Sequence, residues 1–168
     1  MRKRLEYAIV ALVFGLVVLG YSYAYQNLSA LVERYQLEAE VNALRAATLQ
    51  AAATQRPRGE DTETLDGANP VAWLDEPPEG YQGEWAAGGQ GAEELDPGEW
   101  YFDTDAEILV YRVRHDPALC GGAPEGPPSV RFRVVADDGS DAGRGPALRP
   151  VEPYGWGSEE CSEAGRTP

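Results

Sequence analysis

Very few side chains in this sequence have the types and spacing that catalysis or metal binding requires. His115 is the only histidine, and Cys120 and Cys161 are the only cysteines. Nucleophilic catalysis of the triad kind needs a serine or cysteine with a histidine partner, and the sequence offers no such pairing around His115. A zinc site needs more histidine and cysteine than the chain contains. The sequence therefore predicts no enzyme, no metal site and no cofactor.

The acidic residues are numerous, but their spacing does not indicate catalysis. Glu93–Glu94 and Glu159–Glu160 are typical of solvated charges, because catalytic carboxylates need burial to separate their pKa values. The segment DDGSDAG at residues 137–143 carries carboxylates that suit calcium, but it lacks the alternating ligands and final glutamate of an EF-hand loop. A polar turn is the favoured interpretation of this segment, and weak calcium binding is the alternative.

The charge of the chain excludes one class of partner. The 28 acidic residues outnumber the 14 basic ones, which gives a formal net charge of −14. A surface that binds nucleic acid needs basic residues to neutralise phosphates. We therefore expect no general nucleic-acid binding.

The two cysteines, Cys120 and Cys161, form an even pair in the C-terminal part of the chain. In an exported domain such a pair predicts one disulfide, which here would hold the C-terminal tail to the rest of the domain. In a reducing compartment the same residues would be two free thiols.

The elements that position these residues begin with an uncharged run, YAIVALVFGLVVLGYSYAY at residues 7–25, which follows the basic cluster at residues 2–4. As a helix, this run rises roughly 28 Å, close to the thickness of the bilayer hydrocarbon. The basic cluster favours a cytoplasmic N-terminus, and tyrosines at the far end suit the membrane interface. We therefore predict a cytoplasmic segment at residues 1–6 and a transmembrane helix at residues 7–25. A signal peptide cleaved near SYA, at residues 22–24, is the alternative.

Residues 26–55 contain no glycine or proline and are rich in strong helix formers, so the helix should continue outside the membrane and end before Pro57. One apolar stripe contains Leu28, Leu31 and Tyr35. A second stripe, shifted in phase, contains Leu37, Val41, Leu44, Thr48 and Ala51. The two stripes indicate an amphipathic helix but not a sustained heptad repeat.

The middle of the chain is acidic. Residues 59–111 contain 15 acidic residues and neither lysine nor arginine. We predict a linker at residues 56–68 and a loop-rich β domain at residues 69–168. Aromatic residues are rare in disordered segments, so those among the prolines and glycines of this region should dock an irregular segment onto a sheet. These docking residues are Trp73, Tyr81, Trp85 and Trp100.

Strands are predicted by alternating residues in the second half of the chain. Trp100–Phe102 and Ile108–His115 flank a turn and form a hairpin, SVRFRVVAD from residue 129 adds a third strand, and residues 147–156 supply an edge strand. The apolar face of this small antiparallel sheet should pack on the second half of the helix. The fold class is therefore α+β.

The polar face of the same strands carries a cluster of arginines. Alternation predicts that four share one solvent-facing surface, namely Arg112, Arg114, Arg131 and Arg133. Unpaired arginines on adjacent strands would repel one another, so the face needs acidic partners. The acidic segment of the same chain is the simplest partner, and an acidic surface on another protein is the alternative.

This plan, together with the segments NPVAWL, PPEGYQGEW and GEWYFDTDAEILVYRV, resembles type IV pilins and pseudopilins, in particular pilin-like accessory proteins of MSHA-type pilus and type II secretion gene sets. The resemblance implies location in the bacterial inner membrane with a periplasmic domain. It also implies pilin or pseudopilin subunits and inner-membrane assembly proteins as partners. For Glu6 it implies a register role, in which the carboxylate compensates the N-terminal amine of an adjacent subunit.

The same region departs from the pilin pattern. The residues before Glu6 are MRKRL, without the glycine that precedes prepilin cleavage and the phenylalanine that usually follows it. Within the resemblance, this departure favours an accessory or minor subunit. Glu6 as a headgroup-level charge beside residues 2–4 is the alternative to the register role.

Two other functions fit parts of the sequence. A bitopic cell-envelope scaffold would combine the membrane helix with a short coiled coil and a small periplasmic domain. A membrane-tethered periplasmic binding protein or enzyme is disfavoured, because the residues that would carry its chemistry are missing. The strand-rich C-terminal part and its proline-flanked aromatics favour the pilin-like component over both.

Overall fold

The computed structural model describes residues 2–55, 65–86, 91–115, 119–136, 146–156 and 161, with the side chains of residues 2–6, 8, 9, 22–27 and 55 excepted. The predicted Asp137–Gly143 turn and most of the 56–68 linker lie outside these residues. The description of the fold that follows concerns only the described part of the chain.

The chain begins with one continuous helix, α1, at Arg2–Gln55, which is 54 residues long. The absence of glycine and proline from residues 26–55 explains why the helix continues to this point. Among the residues described, no helix is both long enough and apolar enough to span a membrane.

Seven strands follow, in two sheets. Their bounds are Tyr81–Trp85 for β1, Trp100–Asp103 for β2, Ile108–Arg112 for β3, Leu119–Gly121 for β4, Ser129–Val135 for β5, Ala147–Pro150 for β6 and Tyr154–Trp156 for β7. Five of them form a sheet in the order β1-β2-β3-β5-β6, and β4 pairs with β7 in a second sheet. The described fold is therefore α+β, as the sequence predicts.

The five-stranded sheet is mixed, whereas the sequence predicts a purely antiparallel one. The hairpin pairs Trp100 with Tyr111, and β5 and β6 extend it in antiparallel fashion, with β6 at the edge. The difference is β1, which pairs parallel to β2 with Tyr81 opposite Trp100. The segment around Tyr81 and Trp85, predicted to be irregular, is thus itself a strand. Gly83, at φ 98°, lies where its register shifts.

The main core lies between α1 and one face of this sheet. Leu37, Val41 and Leu44 from the helix meet strand residues that include Trp100 and Phe132, and all five are at most 2% exposed. The 3-10 helix Pro70–Trp73 closes one side of this core. The second apolar stripe predicted from the sequence is therefore the one that packs on the sheet.

The first predicted stripe has no partner in the described part of the chain. Leu28 and Tyr35 are 60% and 62% exposed, and Leu31 is 45% exposed. The sheet contacts the opposite side of the helix. This difference between the two stripes defines which helix face the domain occupies.

A disulfide joins Cys120 to Cys161, with an S–S distance of 2.10 Å and a sequence separation of 41 residues. Cys120 lies in β4, whose partner strand β7 ends only a few residues before Cys161. The bond thus attaches the chain beyond β7 to β4, as the sequence predicts for an exported domain.

Replacing both cysteines with serine should lower the free energy of unfolding. In the chain-entropy treatment, a closed loop of this length contributes about 4 kcal/mol. Urea unfolding followed by tryptophan fluorescence measures the change. Reduced wild-type protein is the control and should unfold at the same urea concentration as the double variant, and an unchanged midpoint in both would contradict a stabilising role for the bond.

Candidate functional site

Glu33 is the central residue of the joint between α1 and the sheet. It is 2% exposed although it is charged, and it lies one helical turn before Leu37 on the buried face of α1. A buried carboxylate is costly unless it accepts enough hydrogen bonds. Its partners are therefore decisive for the stability of the joint.

Both carboxylate oxygens of Glu33 accept hydrogen bonds from the end of β3 and the residues that follow it. Oε1 accepts from the Tyr111 hydroxyl at 2.9 Å and from the Arg114 main-chain N–H at 2.6 Å. Oε2 accepts from the His115 main-chain N–H at 2.9 Å, and His115 Nδ1 lies 2.7 Å from the same oxygen. These residues are about 80 positions away in sequence, so Glu33 attaches the helix to the sheet.

The Tyr111 hydroxyl keeps its proton in this setting. Burial, followed by the negative charge of Glu33, raises the pKa of Tyr111 far above its usual value. The hydroxyl is therefore a donor at any physiological pH. Hydrogen bonds reach both oxygens of Glu33, so the cluster of Glu33, Tyr111 and His115 holds the helix and the sheet together.

Glu40 forms a second, less buried contact between helix and sheet, two turns beyond Glu33. Its Oε2 accepts a hydrogen bond from Trp100 Nε1 at 2.9 Å. Burial raises the pKa of the Glu40 carboxyl, and the hydrogen bond from Trp100 opposes this shift. The indole of Trp100 thereby fills the core with its ring while its N–H reaches a partner at the edge.

Sequence patterns did not single out Glu33 or Glu40. One signal was present, because Glu33, Leu37, Val41 and Leu44 lie on one helical face. An acidic residue that continues an apolar stripe indicates a buried hydrogen-bonded carboxylate or the end of the stripe. Helical spacing alone does not separate these two possibilities.

The four arginines predicted to share a face are divided by the structure. Arg112, Arg131 and Arg133 lie on the sheet face turned away from α1, while Arg114 lies beyond the end of β3, next to the helix. The prediction for Arg114 is wrong because strand alternation stops at Arg112. The guanidinium of Arg114 covers Gly98, where an added Cβ would collide with it.

Each of the three remaining arginines has a partner within the chain. Arg112 donates from Nη1 to the carbonyl of Leu95, and Arg131 forms an ion pair with Glu152. Arg133 Nη2 contacts Glu107 at 2.6 Å and Asp66 at 3.3 Å. Leu95, Glu107 and Asp66 belong to the acidic region at residues 59–111, whereas Glu152 lies downstream. Two of the four predicted arginines, Arg112 and Arg133, therefore contact this region, whereas Arg131 contacts a different segment.

The four aromatic residues predicted to dock onto the sheet have different environments. Trp73 and Tyr81 are partly buried against the main core, and Trp100 is fully buried within it. Trp85 lies on the other face, where it stacks on Tyr101 with ring centroids 4.4 Å apart. Burial and the nearby charge of Asp103 raise the pKa of Tyr101 to about 12.

Two further predictions concern the role of Glu6 and the binding of metal ions. The backbone of Glu6 belongs to α1, but its side chain lies outside the described part of the chain. Among the described residues, no group of three or more histidine, cysteine, aspartate or glutamate side chains is placed to hold a metal ion.

A groove of about 340 Å³ lies beside the Glu33 cluster, between Leu28 and Val32 of the helix and Arg114 and His115.

None of the protein-family models, curated proteins and solved structures compared with this chain matches it significantly.

Replacing Glu33 with glutamine should destabilise the domain strongly. The amide group would point a donor at groups that are themselves donors, so we expect a loss of roughly 3–5 kcal/mol in unfolding free energy, as for a broken buried pair. Glu38→Gln is the matched control, since Glu38 lies on the same helix and pairs with Arg34 at 2.8 Å, with its side chain 44% exposed. That change should cost at most about 0.5 kcal/mol. Equal urea midpoints for the two variants would contradict the role of Glu33.

The arginine contacts predict which segments become accessible to proteases. Arg112→Gln should increase cleavage after Glu93 and Glu94 by a glutamate-specific protease, because Arg112 holds the adjacent Leu95 carbonyl. Arg131→Gln is the control, since Arg131 holds Glu152 instead and should leave that cleavage rate unchanged. A similar rate in wild type and Arg112→Gln would mean that other contacts hold this segment.

Proposed function

We propose that the chain is a non-enzymatic structural or assembly component of a type IV pilus of the MSHA type or of a type II secretion pseudopilus. In this proposal residues 7–25 anchor it in the bacterial inner membrane and the β domain lies in the periplasm. The observation that carries the proposal is the single 54-residue helix, which is apolar and exposed towards one end and forms the core of a small domain towards the other. A helix of this kind connects a membrane anchor to the folded β domain.

Exposed apolar side chains support the anchor. Within residues 10–21, seven large side chains are more than 60% exposed. They are Val10, Leu12, Phe14, Leu16, Val17, Leu19 and Tyr21. Such a surface is unfavourable in water and favourable in lipid. This run rises roughly 17 Å, and the uncharged sequence on both sides extends it to the roughly 28 Å of residues 7–25.

The disulfide supports a periplasmic location for the β domain. Disulfides persist in oxidising compartments such as the bacterial periplasm and are rare in the cytosol. The bond between Cys120 and Cys161 therefore agrees with a basic, cytoplasmic N-terminus followed by export of the remainder. The Glu33 joint then lies about two helical turns beyond the predicted membrane segment, where it would fix the orientation of the domain on its anchor.

Glu6 supports assembly within the membrane. A carboxylate at the start of an apolar helix can still reach water, but it is more stable when it pairs with a positive group. In this proposal its partner is the N-terminus of a neighbouring pilin, and Arg2–Arg4 of its own chain is the alternative.

Crosslinking of the tagged full-length chain in bacterial membranes, followed by purification and identification of its partners, tests the proposal. Pilin-like subunits or inner-membrane assembly proteins among the products would support it. Cell-division or other envelope proteins in their place would favour the bitopic scaffold and overturn it.

In the same experiment Glu6→Ala should insert normally, because the basic cluster at residues 2–4 is retained. Its crosslinks to pilin-like partners should weaken, because the contact that sets the register is lost. Glu38→Ala is a suitable control, since it also removes one carboxylate from α1 but lies outside the predicted membrane segment. An identical pattern for Glu6→Ala and wild type would assign Glu6 to the headgroup layer.

A further inference from the structure

The uncharged surface of α1 is longer than the sequence alone indicates. Residues 7–32 contain no charged side chain, and the next charge, Glu33, is only 2% exposed in its contact with the sheet. Arg34 is therefore the first charged residue after Glu6 that reaches the surface, with its side chain 32% exposed. The burial of Glu33 thus extends the uncharged surface of the helix beyond the predicted membrane segment at residues 7–25.

Large apolar side chains occupy the exposed side of this extension. Four of them have exposed fractions between 45% and 62%, namely Leu28, Leu31, Val32 and Tyr35. Helical geometry places all four within a sector of about 100°, on the side of α1 opposite to Glu33. They continue the exposed apolar surface of residues 10–21 towards the β domain.

This large apolar surface ends at Tyr35. Further along the same side, the exposed residues are small or polar, namely Ala39, Asn42 and Ala46. In the described part of α1 beyond Tyr35, Leu49 is the only exposed large apolar residue, and it lines a groove against β6. A change from apolar to polar residues at one level along a helix is typical of the point at which the helix leaves a membrane.

We infer that α1 contacts lipid as far as Tyr35, so that the β domain rests on the outer surface of the bilayer. This inference rests on the membrane anchor of the proposed function and assigns a second lipid-contacting surface to the same helix. Residues 7–35 rise roughly 43 Å, which matches the roughly 40–45 Å of a bilayer with both of its headgroup layers. Leu28, Leu31 and Val32 then lie among the headgroups and the adjoining acyl chains.

The residues at the end of the apolar surface fit this position. Tyrosine is enriched at membrane interfaces because its ring is apolar and its hydroxyl is polar, and Tyr35 is 62% exposed. The long stem of an arginine can lie along apolar surface while its charge reaches the headgroups, and Arg34 stands beside Tyr35. Both residue types therefore favour the headgroup layer as the level of this turn of the helix.

The domain leaves lipid access to the helix at this level. Glu33 is the first buried residue among those described in α1, so the residues that contact it form the end of the domain nearest the membrane. Arg114 and His115 lie at this end, beside the groove of about 340 Å³. Leu28 and Val32 form the helix wall of the groove, so the domain stands next to them without covering them.

Fluorescence quenching of the full-length chain in liposomes tests this lipid contact. The fluorophore bimane is attached to a single added cysteine, at Leu28 or at Leu31, and is quenched either by a nitroxide-labelled lipid or by iodide in the water. Cysteines at Ala46 and Leu49 are the matched controls, because each lies 18 residues after its test position and is also exposed. Eighteen residues complete five helical turns, so each control points in the same direction as its test position, about 27 Å further along the helix.

We expect the nitroxide lipid to quench bimane severalfold more at the two test positions than at the two controls, and iodide to show the reverse order. The native cysteines Cys120 and Cys161 are joined in a disulfide and should take no label, which the unmodified protein checks. Iodide quenching of equal strength at test and control positions would place this side of α1 in water and overturn the inference. Protection of the test positions from both quenchers would mean that a second copy of the chain covers them, which would also overturn it.

Val17→Cys separates this inference from the proposed function, because Val17 is exposed within the predicted membrane segment. Lipid quenching at Val17 but not at Leu28 and Leu31 would reject the inference and leave the anchor in place. No lipid quenching at Val17 would reject both. Lipid quenching at all three positions, without pilus or secretion partners in the crosslinking experiment, would sustain the inference and reject the assignment to a pilus or secretion system.

Discussion

The buried carboxylate of Glu33 is the interaction on which the arrangement of helix and domain depends. Desolvating this charge costs several kcal/mol, and the cost is offset only because Tyr111, Arg114 and His115 supply the donors together. Those donors come from the last residue but one of β3 and the chain just beyond it. The contact therefore fixes where the sheet lies along the helix and how the end of β3 is oriented.

Apolar packing alone would specify this position less sharply. Leu37, Val41 and Leu44 bury apolar surface, and this interaction is non-directional, so it fixes a position along the sheet less sharply than hydrogen bonds do. A misplaced Glu33 would instead be a buried charge without donors. Glu40, which accepts from Trp100 two turns further on, adds a second polar contact with the same effect. The two carboxylates and the apolar stripe together allow one register.

The fixed register determines what the helix offers to the outside. Because the sheet occupies one side of α1 from Glu33 onwards, the opposite side from Leu28 to Ala53 remains exposed along the same length. A rigid joint would also make the orientation of the β domain follow that of an anchored helix. On the far face of the sheet, Arg112 and Arg133 bind the acidic region at residues 59–111 and Arg131 binds Glu152, so these contacts serve placement within the molecule.

The sequence by itself determined the features that depend on neighbouring residues. Absence of glycine and proline predicted the long helix, alternation predicted the hairpin at β2 and β3, the strand β5 and the edge strand β6, and the even cysteine pair predicted the disulfide. Only the tertiary structure decided the features that join distant segments. These are the parallel pairing of β1, the burial of Glu33 by residues about 80 positions away, the partner of Arg131, and the side of α1 that the sheet covers. The physical reason is that helical and strand periodicity state which residues share a face but not which other segment meets that face. Two apolar stripes on one helix are equivalent in sequence until a hydrogen-bonded carboxylate and a complementary core select one of them.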